Sequence, residues 1–142
     1  MTHRDAAPGV IFVTGHTRDE GEPNWVELAA TGLTLVIYRG FSRLKSIAAE
    51  LLVGGLAPTT PVAAIARATT ARASAHRFDL AQVTEGDLPQ SLASPSIIVV
   101  GDVVNYGNLP REARCESPEE VLFSPSSYRS LDFFAAVGDR QA

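Results

Sequence analysis

The run Pro95-Ser96-Ile97-Ile98-Val99-Val100-Gly101 constrains this chain more than any other segment. A strand with one wet face alternates apolar and polar residues. A continuous apolar run closed by glycine reads instead as a strand covered on both faces. Further runs offer it neighbours: Val10–Thr14, ended by Gly15, and Thr34–Tyr38, bracketed by Gly32 and Gly40. Residues 61–66 add an apolar run that starts on proline, which a strand tolerates as its first residue. A strand around Ala75 to Asp79 is expected on weaker alternation, and Arg67 to Arg77 is ambiguous between strand and helix.

Helical patterns lie between these runs. Trp25 to Ala30 reads as a short helical turn, with Pro23 and Trp25 as an apolar anchor for the loop before it. Ser42 is placed to cap a helix whose apolar residues Leu44, Ile47, Ala48, Leu51 and Leu52 recur at spacings of three and four, with Gly54-Gly55 ending it. Thr84 to Gln90, with Gly86 and Pro89, reads as a turn or short cap region. Strands alternating with helices make the class α/β. From Asn105 onward prolines, charges and a serine cluster predict a polar tail over 105–142. Within it, Leu131, Phe133, Phe134 and Val137 are expected to dock as a short terminal helix.

With 142 residues, 45% hydrophobic and 20% charged, the chain has the make-up of one globular domain. At that size folding buries ~70% of the surface an unfolded chain exposes, so no covalent staple is required. Cys115 is the single cysteine, which excludes an intramolecular disulfide and a cysteine-rich metal site. It sits in the polar tail with no histidine nearby in sequence, so no nucleophile constellation is expected there. A net charge of −4 argues against a counterion-releasing grip on nucleic acid. No apolar stretch approaches the ~20 residues that span a bilayer, and Met-Thr-His-Arg-Asp does not begin a signal peptide. The expectation is a cytoplasmic protein with no nucleic-acid or membrane partner.

Segments in order along the chain carry a family resemblance. Thr2-His3-Arg4, Phe12-Val13-Thr14-Gly15-His16-Thr17 and Gly21-Glu22-Pro23-Asn24-Trp25 resemble a linker followed by FVTGH and GxPDW. Residues 34–40, Thr-Leu-Val-Ile-Tyr-Arg-Gly, resemble TLVxYMG. Thr60-Pro61-Val62 with Arg67-Ala68-Thr69-Thr70 resembles TPVAxxERATT, and Ser94 to Val104 resembles SPALIVVGEVV. These are segments of the uroporphyrinogen-III C-methyltransferases, within the tetrapyrrole methylase superfamily, and all belong to the second domain. The resemblance implies a single three-layer or two-layer α/β domain with a mixed sheet of about five strands. It assigns residues 1–9 to a remnant of the interdomain linker and 10–104 to the C-terminal methylase domain.

What the family does is likewise implied by the resemblance. It transfers methyl groups from S-adenosylmethionine to a reduced tetrapyrrole, forming precorrin-2 on the route to sirohaem and cobalamin. Its GxGPGDP loop, GGDP segment and acid/base residues lie in a first domain and have no counterpart here. No catalytic residue is therefore assigned. The resemblance places Arg39 and Ala68 in the S-adenosylmethionine pocket and His16 in the cleft between domains. Two residues depart from the pattern. Arg39 stands where the family usually has methionine, and a buried unpaired guanidinium is costly; its plainer reading is a solvated strand-end arginine. Ala66 stands where the family has glutamate, which puts in doubt the polar contacts that acid organises. His3, His16 and Asp19 lack metal spacing, so no metal site is expected.

The expected partners are the missing N-terminal methylase half or a homodimer partner, and a tetrapyrrole substrate. The chain is then a methyltransferase part, inactive without its first half. Two alternatives remain open: a non-catalytic interaction or dimerisation domain derived from a tetrapyrrole methylase, and another methylase of the superfamily, such as a precorrin methylase or the diphthamide enzyme.

Overall fold

The structure is a computed structural model that describes residues 3–16, 21–86, 88–92 and 95–107. Five strands form one mixed sheet: β1 (Val10–Thr14), β2 (Thr34–Tyr38), β3 (Pro61–Ala66), β4 (Ser74–Asp79) and β5 (Ser96–Val100), in the spatial order β1-β2-β5-β3-β4. β1 runs parallel to β2, and every other pairing is antiparallel. The expected α/β domain with a mixed sheet is the one observed. The apolar run at 96–100 is its central strand, hydrogen-bonded to β2 on one side and β3 on the other.

The helices α1 (Trp25–Ala30), α2 (Leu44–Val53) and α3 (Leu80–Glu85) contribute to one core with one face of this sheet. Trp25, Ala29, Ile47, Leu51, Leu80 and Val83 meet Leu35, Ile37, Val62, Ala64, Ile98 and Val100 there, all buried. Burying each large aliphatic side chain contributes ~1.5–3 kcal/mol relative to leaving it in water. Trp25 is 1% exposed, so it anchors the core as well as the loop before it. The opposite face has a smaller cluster of Val36, Ala63, Val99 and Val104. Part of its cover is the 3₁₀ turn Asp102–Tyr106, whose Tyr106 ring stacks on His3 with centroids 3.8 Å apart. The described chain thus has a full helical layer and a partial layer of turns. The predicted tail from 108 onward, with its apolar patch at 131–137, lies outside the described residues.

Two local expectations are corrected. Ser42 does not cap α2; it lies in a 3₁₀ turn, Phe41–Arg43, and its neighbour Arg43 occupies the cap position without a side-chain bond. The 3₁₀ geometry already uses the backbone there: the Arg43 amide bonds the Gly40 carbonyl. Thr84 and Glu85, expected in a turn or short cap region, instead end the helix α3. Its start is a capping box, in which the Asp79 carboxylate accepts from the third helical amide and the Gln82 side chain accepts from the Asp79 amide. The ambiguous segment 67–77 divides into a loop and strand β4.

The ends of β1 and β2 are held at backbone contact. The Gly15 amide donates to the Tyr38 carbonyl at 2.7 Å, and a β-carbon on Gly15 would stand 2.5 Å from the Gly40 α-carbon. Backbone cannot rotate aside as a side chain can. Gly15→Ala is expected to destabilise the chain by about 1–3 kcal/mol, the usual cost of overpacking, read as a lower urea midpoint with unchanged slope.

Candidate functional site

The parallel ends of β2 and β3 open into a cleft of about 720 Å³. Its floor is set by register: Tyr38 pairs with Ile97 across β2 and β5, and Ile97 with Ile65 across β5 and β3. Cross-strand partners share a face, so the three side chains form one apolar row on the face away from the helices. Tyr38 is 39% exposed. The walls are Arg39, Arg67, Ala68, Thr70, Ala71, Arg72, Pro95 and Ser96.

All three described non-glycine residues with positive φ line or adjoin this cleft: Arg39 at 55°, Arg67 at 49° and Thr69 at 66°. Left-handed backbone costs roughly 1–2 kcal/mol for a residue with a β-carbon, and for β-branched threonine it is a clear outlier. Such strain persists only where surrounding bonds enforce it. Those bonds are present. The Arg67 amide donates to the Pro95 carbonyl at 3.0 Å, its Nε to the Arg72 carbonyl and its Nη2 to the Ser91 carbonyl, both at 3.1 Å. Thr70 Oγ1 donates to the Arg67 carbonyl at 2.8 Å. Arg67 therefore staples loop 67–72 to the segment that leads into β5.

Of the residues singled out from sequence, Arg39 and Ala68 come together as walls of this cleft, both exposed. The sequence reading placed both in one pocket but missed Arg67 as its organiser, and missed Arg72 and Ser96 as lining. His16 follows the end of β1, exposed, and is not among the lining residues. Ala66 is fully buried, and its cross-strand partners Ser74 and Ser96 carry hydroxyls without a hydrogen-bond partner. Among the described residues no group of His, Cys, Asp or Glu is arranged to hold a metal ion, and no helix is long and apolar enough to cross a membrane.

Glu22 and Arg43 form an ion pair with an Arg43 Nη2 to Glu22 Oε2 bond of 2.7 Å. The hydrogen bond from Arg43 holds the Glu22 carboxyl below the usual carboxylate range; the charges of Arg43 and His16 add to it. The bond also raises Arg43.

No family model matches the chain. Individual proteins do. It is 44% identical over 117 residues to the siroheme synthase of Edwardsiella ictaluri, covering 82% of this chain and 25% of that protein. It is 41% identical over 103 residues to the uroporphyrinogen-III C-methyltransferase of Pseudomonas aeruginosa, covering 72% of this chain and 42% of that one. Among solved structures, uroporphyrin-III C-methyltransferase from Thermus thermophilus complexed with S-adenosyl homocysteine superposes with a TM-score of 0.67 at 32% identity, over 75% of this chain and 47% of that chain. The chain thus spans less than half the length of each of these three proteins.

Two outcomes are expected of the local chemistry. Thr69→Gly removes a β-carbon from a left-handed position and should stabilise the chain by about 1 kcal/mol; a lower urea midpoint would contradict the strain. The Glu22 carboxyl, followed by carbon-detected NMR, should titrate below the ordinary glutamate value and return to it in Arg43→Gln. Because its folded value is depressed, the pair's contribution is present above the ordinary carboxylate range and lost as pH falls through the folded value.

Proposed function

Because the chain belongs to the tetrapyrrole methylase family, on the side of the uroporphyrinogen-III C-methyltransferases and siroheme synthases, we propose that it is the C-terminal, ligand-completing part of a S-adenosylmethionine-dependent uroporphyrinogen-III C-methyltransferase. On this reading it works with an N-terminal methylase half in forming precorrin-2. The observation that carries the reading is the cleft at the ends of β2 and β3, whose walls include Arg39 and Ala68. These are the positions at which the family resemblance places the cofactor.

The residues present fit one flank of such a ligand. Tyr38, Ile65 and Ile97 offer an apolar shelf for a flat ring. When bound, S-adenosylmethionine supplies an electrophilic methyl group on a sulfonium. The transfer itself needs the nucleophilic carbon held in line with that methyl, which is a matter of positioning and of stabilising the changing charge. The chain's part is to present the shelf, keep water from one side of the ligand and hold loop 67–72 rigid through Arg67. Alignment requires a second wall facing this one.

The division of labour is tested by calorimetry. The 142-residue chain alone is expected to give no measurable S-adenosylmethionine heat, and adding the N-terminal-half polypeptide of the Pseudomonas aeruginosa relative is expected to restore binding. Tight binding by this chain alone would overturn the division, and no binding by the pair would overturn the function.

A further inference from the structure

The cleft is more basic than a neutral ring requires. Among the described residues, Arg39, Arg67 and Arg72 line it and no carboxylate does, although the chain carries a net charge of −4. The Arg67 guanidinium is committed to the Arg72 and Ser91 carbonyls. Arg72 contributes only backbone to that network: its carbonyl accepts from Arg67, and its amide donates to Thr70 Oγ1 at 3.2 Å. Among the described residues, the guanidinium groups of Arg39 and Arg72 have neither a hydrogen bond nor an ion pair. Two uncommitted forks of five donors each therefore stand over the Tyr38, Ile97 and Ile65 row.

The backbone around them is strained at Arg39, Arg67 and Thr69. Arg39 holds φ at 55°, and loop 67–72 is fixed by the bonds of Arg67 and Thr70. A solvated arginine at a strand end needs no left-handed backbone. An apolar shelf edged by two unpaired arginine forks, with no carboxylate among the described lining residues, suits a ligand that joins a flat ring to an anion. Arginine forks match a carboxylate bidentately.

We propose that Arg39 and Arg72 select, in this cleft, a ligand whose flat ring carries a carboxylate, and that they bind that carboxylate directly. The proposal rests on reading the cleft as one flank of a methylase ligand site. That reading offers two sources for the same chemistry: the amino-acid tail of the cofactor or an acidic side chain of the tetrapyrrole. Because both arginines are exposed, the gain is screened by salt.

The test is a ¹⁵N amide NMR titration of the full 142-residue chain with adenosine, S-adenosylhomocysteine and uroporphyrin III. These are a ring without carboxylate, a ring with one on its tail, and a ring bearing several. At least one of the two acids is expected to shift the amides of residues 38–39, 67–72 and 96–97, and to bind about tenfold more tightly than adenosine, as one charge-assisted hydrogen-bonded contact allows. The double substitution Arg39→Met with Arg72→Met should bring the acid's affinity down to that of adenosine, while Arg4→Gln, outside the cleft, should have no effect. Whichever acid loses affinity identifies the source. The proposal is overturned if neither acid shifts those amides at millimolar concentration, or if the gain survives the double substitution. Failure of the two halves to reconstitute, with the carboxylate preference intact, would remove the proposed function alone.

Discussion

The antiparallel insertion of β5 between β2 and β3 is the constraint on which the rest of the molecule depends. Val99 and Val100 each pair with a β2 residue on one side and a β3 residue on the other, so a single strand fixes the register of both. Side chains alternate along a strand with a period of two. Ile98 and Val100 therefore join the helical core, while Ile97 and Val99 face the other way. A slip of one residue would exchange these sets and leave the helices resting on the wrong face. The same register puts Tyr38, Ile97 and Ile65 in one row. The cleft floor is thus a by-product of the pairing that builds the core.

At the end of that row the chain gives up regular geometry. Arg39 leaves β2 in the left-handed region, and Gly40 follows with its α-carbon against Gly15. On the far side of β5, Arg67 leaves β3 in the same way and is held by three hydrogen bonds from its own amide and guanidinium. One arginine has its strain offset by bonds inside the protein. The other, so far as the described residues go, does not. This asymmetry separates a structural staple from a group free to meet a ligand, although both are arginines at strand ends.

Much of the fold was legible because its strands obey simple periodicity. The runs at 10–14, 34–38 and 61–66 match the observed strands to the residue, and β5 lies one residue inside each end of the run 95–101; glycines and a proline mark several of these ends. Helix α3 was missed because only six residues long, with Leu80 and Val83 as its buried pair, it offers too few turns for an apolar period to show. The Asp79 and Gln82 capping spacing was the signal that would have found it. Ser42 misled because a hydroxyl before an apolar helical pattern is the usual cap, and a 3₁₀ turn had already used the local amides. At the site, ordered motifs led to Arg39 and Ala68, whereas Arg67, Arg72 and Ser96 are joined only by tertiary folding, which no spacing in the chain encodes.

The two departures from the family pattern have different physical consequences. Ala66 lies in the core between Ser74 and Ser96, whose buried hydroxyls have no partner. Each such group costs about 1–3 kcal/mol when nothing satisfies it. The cost falls on stability and on the local polar network. Arg39 lies at the surface, where its charge remains in water and costs little until a ligand or a facing wall displaces that water. The same substitution of charge for an apolar side chain would be prohibitive inside a closed pocket and is tolerable on an open half. A facing domain that closes over this cleft must therefore bring, or enclose, an anion for Arg39, and this requirement links the half cleft seen here to the chemistry of whatever completes it.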